Sequence, residues 1–289
     1  MAQPQAEIAV IGGSGLYQMA GLEQVHEVKA NTPFGSPSDA IIVGTLEGKR
    51  VAFLPRHARG HKLNPTNVPY QANIFALKLL GVRQIISVSA VGSLKEEIRP
   101  LDIVIPDQII DRTRLRANTF FSNGLVVHVA FADPFCGDLS KTLHRAASQD
   151  GARAHKGGTY IAMEGPQFST KAESHLYRSW GASVIGMTAL PEAKLAREAE
   201  MCYATVACST DYDCWHPGHE SVTTQMVIEN LGKNVERSKS IVRRVVASIS
   251  PGRSCSCHSA LATAIITAPD HIPAGVKKEL APLIGKYIK

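Results

Sequence analysis

Two aspartates stand one residue apart at the end of a long apolar segment. Residues 202–210 are apolar, small or β-branched, and Asp211 and Asp213 follow directly. A short segment without polar alternation predicts a strand buried on both faces. Because side chains alternate along a strand, we expect both carboxyl groups to point the same way. Together they could offer a proton donor and an acceptor to one planar ligand. The alternative is an exposed turn that merely ends the strand.

Donor-rich segments follow three other predicted strands. A glycine-rich loop around Ser14 brings backbone N–H groups and a hydroxyl to the end of the first strand, although it is not the dinucleotide-binding pattern. Arg56 and His57 follow another strand, and a guanidinium group is well suited to phosphate. A loop expected at residues 89–93 adds the hydroxyl of Ser89. Ligands of open α/β sheets bind beyond the carboxyl ends of the strands. The segments together predict an anion site, although each alone could be an ordinary loop.

Two further segments, residues 164–168 and 186–188, also fall at predicted strand ends. Phe168 and Met187 could sandwich a flat heterocycle, with Thr188 reaching the anion. The alternative for Phe168 and Met187 is core packing.

The composition indicates a globular protein, with 44% hydrophobic and 19% charged residues. The net charge of +6 is scattered, and its densest group, Arg112, Arg114 and Arg116, has no interleaved aromatic residues. A mildly positive cleft for an anionic substrate therefore accounts for the charge better than nucleic-acid binding. No apolar segment reaches the ~18 residues of a membrane span. The polar N-terminus predicts no signal peptide, so we expect a cytoplasmic protein with mostly reduced thiols.

Strand-like and helix-like segments alternate along the chain, which predicts one α/β domain. The predicted strands cover residues 7–12, 40–46, 50–55, 84–90, 103–106 and 202–210. The predicted helices cover residues 70–80, 170–180, 191–199 and 224–248. The domain is expected to span residues 1–250, with residues 251–289 as an extension packed on it.

Six cysteines occur, at positions 136, 202, 208, 214, 255 and 257. Cys202 and Cys208 fall within the predicted buried strand, where a thiol behaves as a small hydrophobe. Only one residue separates Cys255 from Cys257, whereas paired zinc ligands usually have about two to four residues between them. Zinc would also need two further ligands, so we expect reduced tail thiols and no metal.

The assembled motifs resemble those of the methylthioadenosine phosphorylases, within the purine nucleoside phosphorylase superfamily. The resemblance extends from about Glu7 to Val246. Its matching blocks are residues 8–15, 32–35, 56–57, 70–73, 164–168, 187–188 and 210–215. It implies a single domain with a central mixed twisted β-sheet flanked by helices, of the nucleoside phosphorylase type. The C-x-C tail is similar to that of microbial and archaeal members, some of which contain disulfides.

The resemblance implies that phosphate attacks C1′ of 5′-methylthioadenosine and displaces adenine, giving 5-methylthioribose 1-phosphate in methionine and purine salvage. Asp211 would protonate N7 of the leaving base, and Asp213 would accept a hydrogen bond from the 6-amino group. General acid catalysis of this kind is typically worth ~10²–10⁴-fold. Phosphate is the co-substrate, and no metal or organic cofactor would be required.

The resemblance also assigns the rest of the site. The implied phosphate ligands are Ser14, Arg56, His57, Ser89, the backbone of Ala90, and Thr188. The implied nucleoside contacts are Met187 at the ribose, Phe168 at the purine, and Thr224, Val227 and Ile228 at the methylthio group. His128 would come from a neighbouring subunit of a homotrimer or a dimer of trimers. Specificity would rest on Ser169, Asp213 and Thr224.

The chain departs from the family pattern at two kinds of position. Gly186 stands where many relatives carry Asn, so a polar contact to the substrate is expected to be missing or replaced by water. Ser14 and Ser89 stand where Thr is frequent, and both keep the hydroxyl group.

Three other functions remain as alternatives: a phosphorylase for 6-oxopurines, a nucleoside hydrolase and a non-catalytic nucleoside-binding protein. Aspartate at both 211 and 213 favours a 6-amino base, because Asn usually replaces one of the two in 6-oxopurine enzymes. The predicted anion site argues against hydrolysis by water. A proton donor beside that site would be unnecessary in a protein that only binds.

Overall fold

The computed structural model describes residues 5–13, 15–16, 18–217, 224–250 and 255–288; the side chains of residues 224–228 and 231 lie outside that description. The strands are β1 (Ile8–Gly12), β2 (Glu23–Val28), β3 (Ile41–Leu46), β4 (Lys49–Pro55), β5 (Gln84–Ser93), β6 (Ile103–Ile105), β7 (Gln108–Arg112), β8 (Ala154–Lys156), β9 (Thr159–Met163), β10 (Val184–Gly186) and β11 (Cys202–Asp211). The α-helices are α1 (Tyr70–Leu79), α2 (Gly137–Gln149), α3 (Lys171–Ser179), α4 (Ala189–Glu198), α5 (Thr224–Ser248), α6 (Ala274–Glu279) and α7 (Ala281–Ile284).

These strands form one mixed sheet. Its main path runs β2-β3-β4-β1-β5-β10-β9-β7, and β11 branches from β5 and pairs with β6, which pairs with β8. The strand β1 is parallel to both β4 and β5, whereas β10 is antiparallel to the end of β5. The ends of β1, β4, β10 and β11 therefore meet around the second half of β5. The predicted mixed sheet flanked by helices is confirmed.

Helices cover both faces of the sheet. Along β1, Ala9 and Ile11 pack in a core with residues of α1 and α4, whereas Ile8 and Val10 pack in a second core with residues of α2 and α5. Every residue of β11 is buried, which confirms the strand predicted to be buried on both faces. This burial removes solvent from the strand whose last residue is Asp211.

The prediction of a loop at residues 89–93 is wrong, because β5 continues to Ser93. Two neighbours hold this part of the chain extended. The strand β11 pairs with β5 as far as Gly92, and β10 pairs with Gly92 and Ser93 from the other side. Ser89 and Ala90 therefore lie on a fixed strand, and their positions are set by backbone hydrogen bonds.

The other predicted elements agree with the structure to within a few residues at their ends. The helix α3 begins with the predicted capping box, in which Thr170 and Glu173 satisfy each other's backbone N–H groups. The helix α4 starts slightly earlier than predicted and contains a non-helical residue, Leu190, before Pro191. That interruption fits the restriction that proline places on the preceding residue.

The C-terminal segment packs against the core of the sheet. Leu261, Leu283 and Ile284 belong to the same buried cluster as α1 and α4. The backbone N–H of Ile266 donates to the carbonyl of Val126 at 2.9 Å. The division into residues 1–250 and 251–289 stays a prediction. Among the described helices, none is both long and apolar enough to cross a membrane.

Candidate active site

The two aspartates form a buried pair at the end of β11. Asp211 is 5% exposed and Asp213 is 7% exposed. Asp213 lies in a turn with φ of 50°, so strand alternation does not extend to it and our argument from alternation was wrong. The backbone N–H of Asp213 donates to Oδ1 of Asp211 at 2.8 Å. The pair therefore forms a turn, as the alternative interpretation held, but a buried one.

Both aspartates approach one glycine on β5. A Cβ atom built on Gly92 would lie 2.9 Å from Oδ1 of Asp211 and 3.3 Å from Cβ of Asp213. The pairing of β11 with β5 shifts register between Ser209 and Asp211, and such an irregularity re-aims the side chains beside it. The convergence that alternation had predicted is thus achieved by an irregular strand end and a turn.

Burial and hydrogen bonding act in opposite directions on the carboxyl group of Asp211. Burial raises the pKa of both Asp211 and Asp213. The hydroxyl of Thr210 lies 2.6 Å from Oδ2 of Asp211 and 3.2 Å from the carbonyl oxygen of Val91. A hydroxyl has one proton, so it cannot donate to both acceptors at once. Its proton goes to Oδ2 of Asp211, the nearer acceptor, and this bond and the backbone N–H of Asp213 oppose the rise of the Asp211 pKa.

Arg56 is buried and paired with an acidic residue. Its Nε donates to Oε1 of Glu192 at 2.5 Å, and its Nη2 donates to Oε2 at 3.0 Å. Nη2 also donates to Ser87 at 2.7 Å, and Nη1 donates to the carbonyl of Val88 at 2.9 Å. Four of the five guanidinium protons therefore have acceptors among the described residues. Sequence reasoning missed Glu192, although an acidic residue among the apolar residues of α4 was a usable signal.

His57 offers an acceptor at one ring nitrogen. Its Nδ1 lies 2.8 Å from the carbonyl oxygen of Leu63, and a carbonyl can only accept, so Nδ1 carries the proton. Burial and the charge of Arg56 lower the pKa of His57 to about 4. The ring is neutral at neutral pH, and Nε2 offers a lone pair. We had expected His57 to add a donor; it donates at both nitrogens only when protonated.

Tyr160 supplies a buried hydroxyl beside Ser89 and Gly186. Its Oη lies 3.4 Å from Oγ of Ser89. A Cβ atom built on Gly186 would lie 2.0 Å from the same Oη, which is far closer than atoms can approach. The hydroxyl of Tyr160 therefore occupies the space of a side chain at position 186. Sequence reasoning singled out Gly186 but had no means of pairing it with Tyr160 on another strand.

Arg116 links the loops that follow β9 and β10. Its side chain is fully buried, and its Nε donates to Glu164 at 2.9 Å. Its Nη1 donates to the carbonyls of Met187 and Leu190. Although burial opposes the change, hydrogen bonds from Thr66, from the Arg114 and Leu115 backbones and from Arg116 lower the pKa of Glu164 to about 2. Arg116 is thus a buried connector rather than part of a surface basic group.

The remaining predicted residues are distributed as follows. Thr188 is 5% exposed at the end of β10, beside Met187, whose sulfur lies against Gly165. Phe168 is 46% exposed, so it is not a core residue. The carbonyl of Ser169 accepts a hydrogen bond from Cys214, next to Asp213.

One predicted residue, His128, is not brought to this site, and two further sets lie outside the description. His128 is exposed, and its backbone N–H donates to the carbonyl of Ala264 at 2.9 Å. Ser14 lies outside the described residues. The side chains of Thr224, Val227 and Ile228 also lie outside the description.

The chain is similar over nearly its whole length to several known proteins. It is 60% identical over 283 residues to a protein from Koribacter versatilis named S-methyl-5′-thioadenosine phosphorylase, covering 98% of this chain and 97% of that protein. It is 61% identical over 283 residues to a protein of the same name from Chloroflexus aurantiacus, covering 98% of both chains. The crystal structure of a methylthioadenosine phosphorylase from an Antarctic soil metagenomic library matches with a TM-score of 0.93 and 51% identity, covering 97% of this chain and 99% of that one.

The model of one protein family accounts for most of the domain. It is described as the phosphorylase superfamily and matches residues 7–247, which include β1 to β11 and the buried aspartate pair. The chain belongs to the phosphorylase superfamily.

Proposed function

We propose that the chain is a pentosyltransferase that cleaves 5′-methylthioadenosine with inorganic phosphate, releasing adenine and 5-methylthioribose 1-phosphate. The reaction serves methionine and purine salvage. The observation that carries this proposal is the arrangement along β5. Ser89 lies beside the buried hydroxyl of Tyr160, and Gly92 lies against Asp211 and Asp213. The strand β5 thus places hydroxyl donors for an anion close to a proton donor for a leaving base.

Asp211 is the general acid. Its protonated carboxyl gives the Oδ2 proton to N7 of the purine as the bond between C1′ and N9 breaks, so adenine leaves as a neutral base. The resulting carboxylate keeps the N–H of Asp213 on Oδ1. The Thr210 hydroxyl, which donates to Oδ2 at 2.6 Å, stabilises the new charge. Asp213 accepts a hydrogen bond from the 6-amino group.

Phosphate binds where β1, β4, β5 and β10 meet. Its proposed ligands are Ser14, Arg56, His57, Ser89, the backbone of Ala90, and Thr188. The hydroxyls donate to phosphate oxygens, and Arg56 keeps one Nη1 proton for the anion while Glu192 holds it in place. Hydrogen phosphate carries one proton and can donate it in a hydrogen bond to the lone pair on Nε2 of His57. The bound anion attacks C1′ and balances the positive charge that develops on the sugar.

The nucleoside lies between the phosphate and the aspartates. Met187 contacts the ribose, and Phe168, which is 46% exposed in the free protein, covers the purine. The hydroxyl of Tyr160 takes the place of a polar side chain at position 186. The proposed methylthio pocket is formed by Thr224, Val227 and Ile228. Specificity is assigned to Ser169, Asp213 and Thr224. No metal or organic cofactor takes part in these steps, because Asp211 supplies the proton and phosphate the nucleophile.

The proposed active form is a homotrimer or a dimer of trimers, in which His128 reaches the site of a neighbouring subunit. The exposure of apolar residues in the same connection between β7 and α2 supports it: Leu115 is 78% exposed and Val126 is 48% exposed. The partners are a small nucleoside and phosphate, without nucleic acid or membrane. We place the enzyme in the cytoplasm, where thiols are kept reduced.

One assay tests the reaction. Methylthioadenosine, adenosine and methylthioinosine are each incubated with the enzyme, with and without inorganic phosphate, and the released base is identified by chromatography. We expect adenine from methylthioadenosine only when phosphate is present, with 5-methylthioribose 1-phosphate as the second product. Equal release in phosphate-free buffer would replace the phosphorylase with a hydrolase. A preference for methylthioinosine would replace the 6-amino substrate with a 6-oxopurine.

A further inference from the structure

Four thiols from three distant parts of the chain meet at one point. The Sγ atoms of Cys136, Cys202, Cys255 and Cys257 all lie within 4.8 Å of one another. Cys136 precedes α2, Cys202 begins β11, and the other two stand at the start of the C-terminal segment. All but Cys255 are buried. The cluster is separate from the candidate active site, because Cys202 and Asp211 stand at opposite ends of the ten-residue strand β11.

The spacing of the sulfur atoms suits a tetrahedral metal ion. Zinc–thiolate bonds of about 2.3 Å place the four sulfur atoms of a tetrahedron about 3.8 Å apart. In the cluster every separation is below 4.8 Å, and the Sγ atoms of Cys136 and Cys255 are 3.5 Å apart. All four are free thiols. Only small side-chain movements would be needed for four equal zinc bonds.

A helix terminus and a histidine ring border the cluster, and zinc binds cysteine as the thiolate. Cys136 stands at the N-cap of α2, where the helix dipole stabilises negative charge. The ring of His258 is held by Nδ1, which donates to the carbonyl of Glu200 at 3.0 Å, and this directs Nε2 toward Cys202 at 3.8 Å.

We propose that Cys136, Cys202, Cys255 and Cys257 form a structural zinc site that fastens the C-terminal segment to α2 and β11. Four thiolate ligands leave no open position for substrate, which is typical of structural rather than catalytic zinc. The sequence predicts no metal because Cys255 and Cys257 provide only two of the four ligands that zinc needs. The fold supplies the other two as Cys136 and Cys202, which sequence spacing could not connect with the tail.

Metal content tests the proposal directly. The full-length protein, without a histidine tag, is purified under reducing conditions from zinc-supplemented cells and analysed by inductively coupled plasma mass spectrometry. We expect about one zinc per chain, as for a single closed site. The variant Cys255→Ser changes the most accessible ligand and should reduce zinc to background. The control Cys208→Ser changes a buried thiol of the same strand that pairs with Ser238 instead, and should keep full zinc.

A second measurement reports the type of ligand and needs no variant. Wild-type protein reconstituted with Co²⁺ should show the intense visible bands and the near-ultraviolet charge-transfer band of tetrahedral thiolate coordination. Zinc content no higher than in Cys255→Ser, together with no such bands, would overturn the proposal. So would mass spectra of alkylation-quenched cells showing these four cysteines as two disulfides. The readouts do not depend on the proposed catalytic activity.

Discussion

Arg56 and Glu192 form a two-point salt bridge inside the protein. Nε to Oε1 measures 2.5 Å and Nη2 to Oε2 measures 3.0 Å, and the two side chains are 2% and 1% exposed. Such a pair is costly to form but more costly to break, because one partner is left as an uncompensated buried charge. Glu192, which follows β10, therefore holds Arg56 in position at the strand ends.

Replacing Glu192 should affect both stability and phosphate binding. Glu192→Gln keeps the shape of the side chain but leaves the Arg56 charge unbalanced. We expect the free energy of unfolding to fall by about 3–5 kcal/mol and the KM for phosphate to change as Arg56 shifts. Urea unfolding and initial-rate kinetics measure the two effects. Glu97→Gln, at an exposed position, is the control and should match wild type. If Glu192→Gln also kept the stability and the KM for phosphate of wild type, the salt bridge would be dispensable.

Asp211→Asn should separate catalysis from stability. The variant cannot give a proton to N7, so kcat should fall by ~10²–10⁴-fold with little change in the KM for methylthioadenosine. Burial raises the pKa of Asp211 above its unfolded value, so its contribution to stability is present at low pH and is lost as pH rises through the folded pKa. At neutral pH the variant should therefore melt at a slightly higher temperature than wild type. Unchanged kcat would remove Asp211 from the mechanism.

Asp213→Asn should change the choice of base. A carboxylate accepts from a 6-amino group but meets only another acceptor at a 6-oxo group, and buried unpaired polar groups are strongly disfavoured. Asn can donate as well as accept. The ratio of kcat/KM for methylthioadenosine to that for methylthioinosine should fall, mainly because methylthioadenosine becomes a poorer substrate. A ratio equal to that of wild type would show that Asp213 does not contact the 6-position of the base.

Tyr160 and Gly186 should behave as a coupled pair. Tyr160→Phe removes one hydroxyl beside Ser89, and we expect the KM for phosphate to rise by about 2–10-fold, the value of one hydrogen bond. Gly186→Ala places a methyl group against Tyr160 and should destabilise the protein by about 1–3 kcal/mol. Part of that loss should disappear in the double variant, because the 2.0 Å contact involves the deleted oxygen. Strict additivity in a double-mutant cycle would contradict the contact.

Arg116→Lys should loosen two loops together. Lysine cannot reproduce the fork that serves Glu164 and the carbonyls of Met187 and Leu190. We expect about 1–3 kcal/mol of lost stability and a higher KM for the nucleoside. Arg114→Lys is the matched control, because Arg114 is exposed and only its backbone contacts Glu164. Similar kinetics for both variants would show that Arg116 does not position the site.

Local patterns were enough to predict much of the fold. The capping box at Thr170 and the uniform burial of β11 depend on neighbours in sequence, and both appear in the structure. The strand β2 was missed because its side chains are almost all exposed and show no alternation. The small residues at the end of β5 resemble a turn and predict a loop. Only pairing with β10 and β11 makes it a strand.

The candidate site shows the same limit. Arg56 and Asp211 were identified from residue type and position at a strand end. Their partners, Glu192 and Thr210, decide which protons are available, and Glu192 is remote from Arg56 in sequence. The contact of Tyr160 with position 186 likewise depends on the neighbouring strands β9 and β10. Contacts between distant segments are a property of the tertiary structure, and no local pattern encodes them.

The hydrogen bonds of Arg116 hold two loops in shape whatever side chains the loop residues carry. Three of its acceptors are the main-chain carbonyls of Glu164, Met187 and Leu190, and every residue type has such a carbonyl. Side chains at 187 and 190 can therefore be exchanged without removing an acceptor. A substrate pocket supported in this way can evolve new contacts for a different nucleoside while the loop backbones keep their anchor.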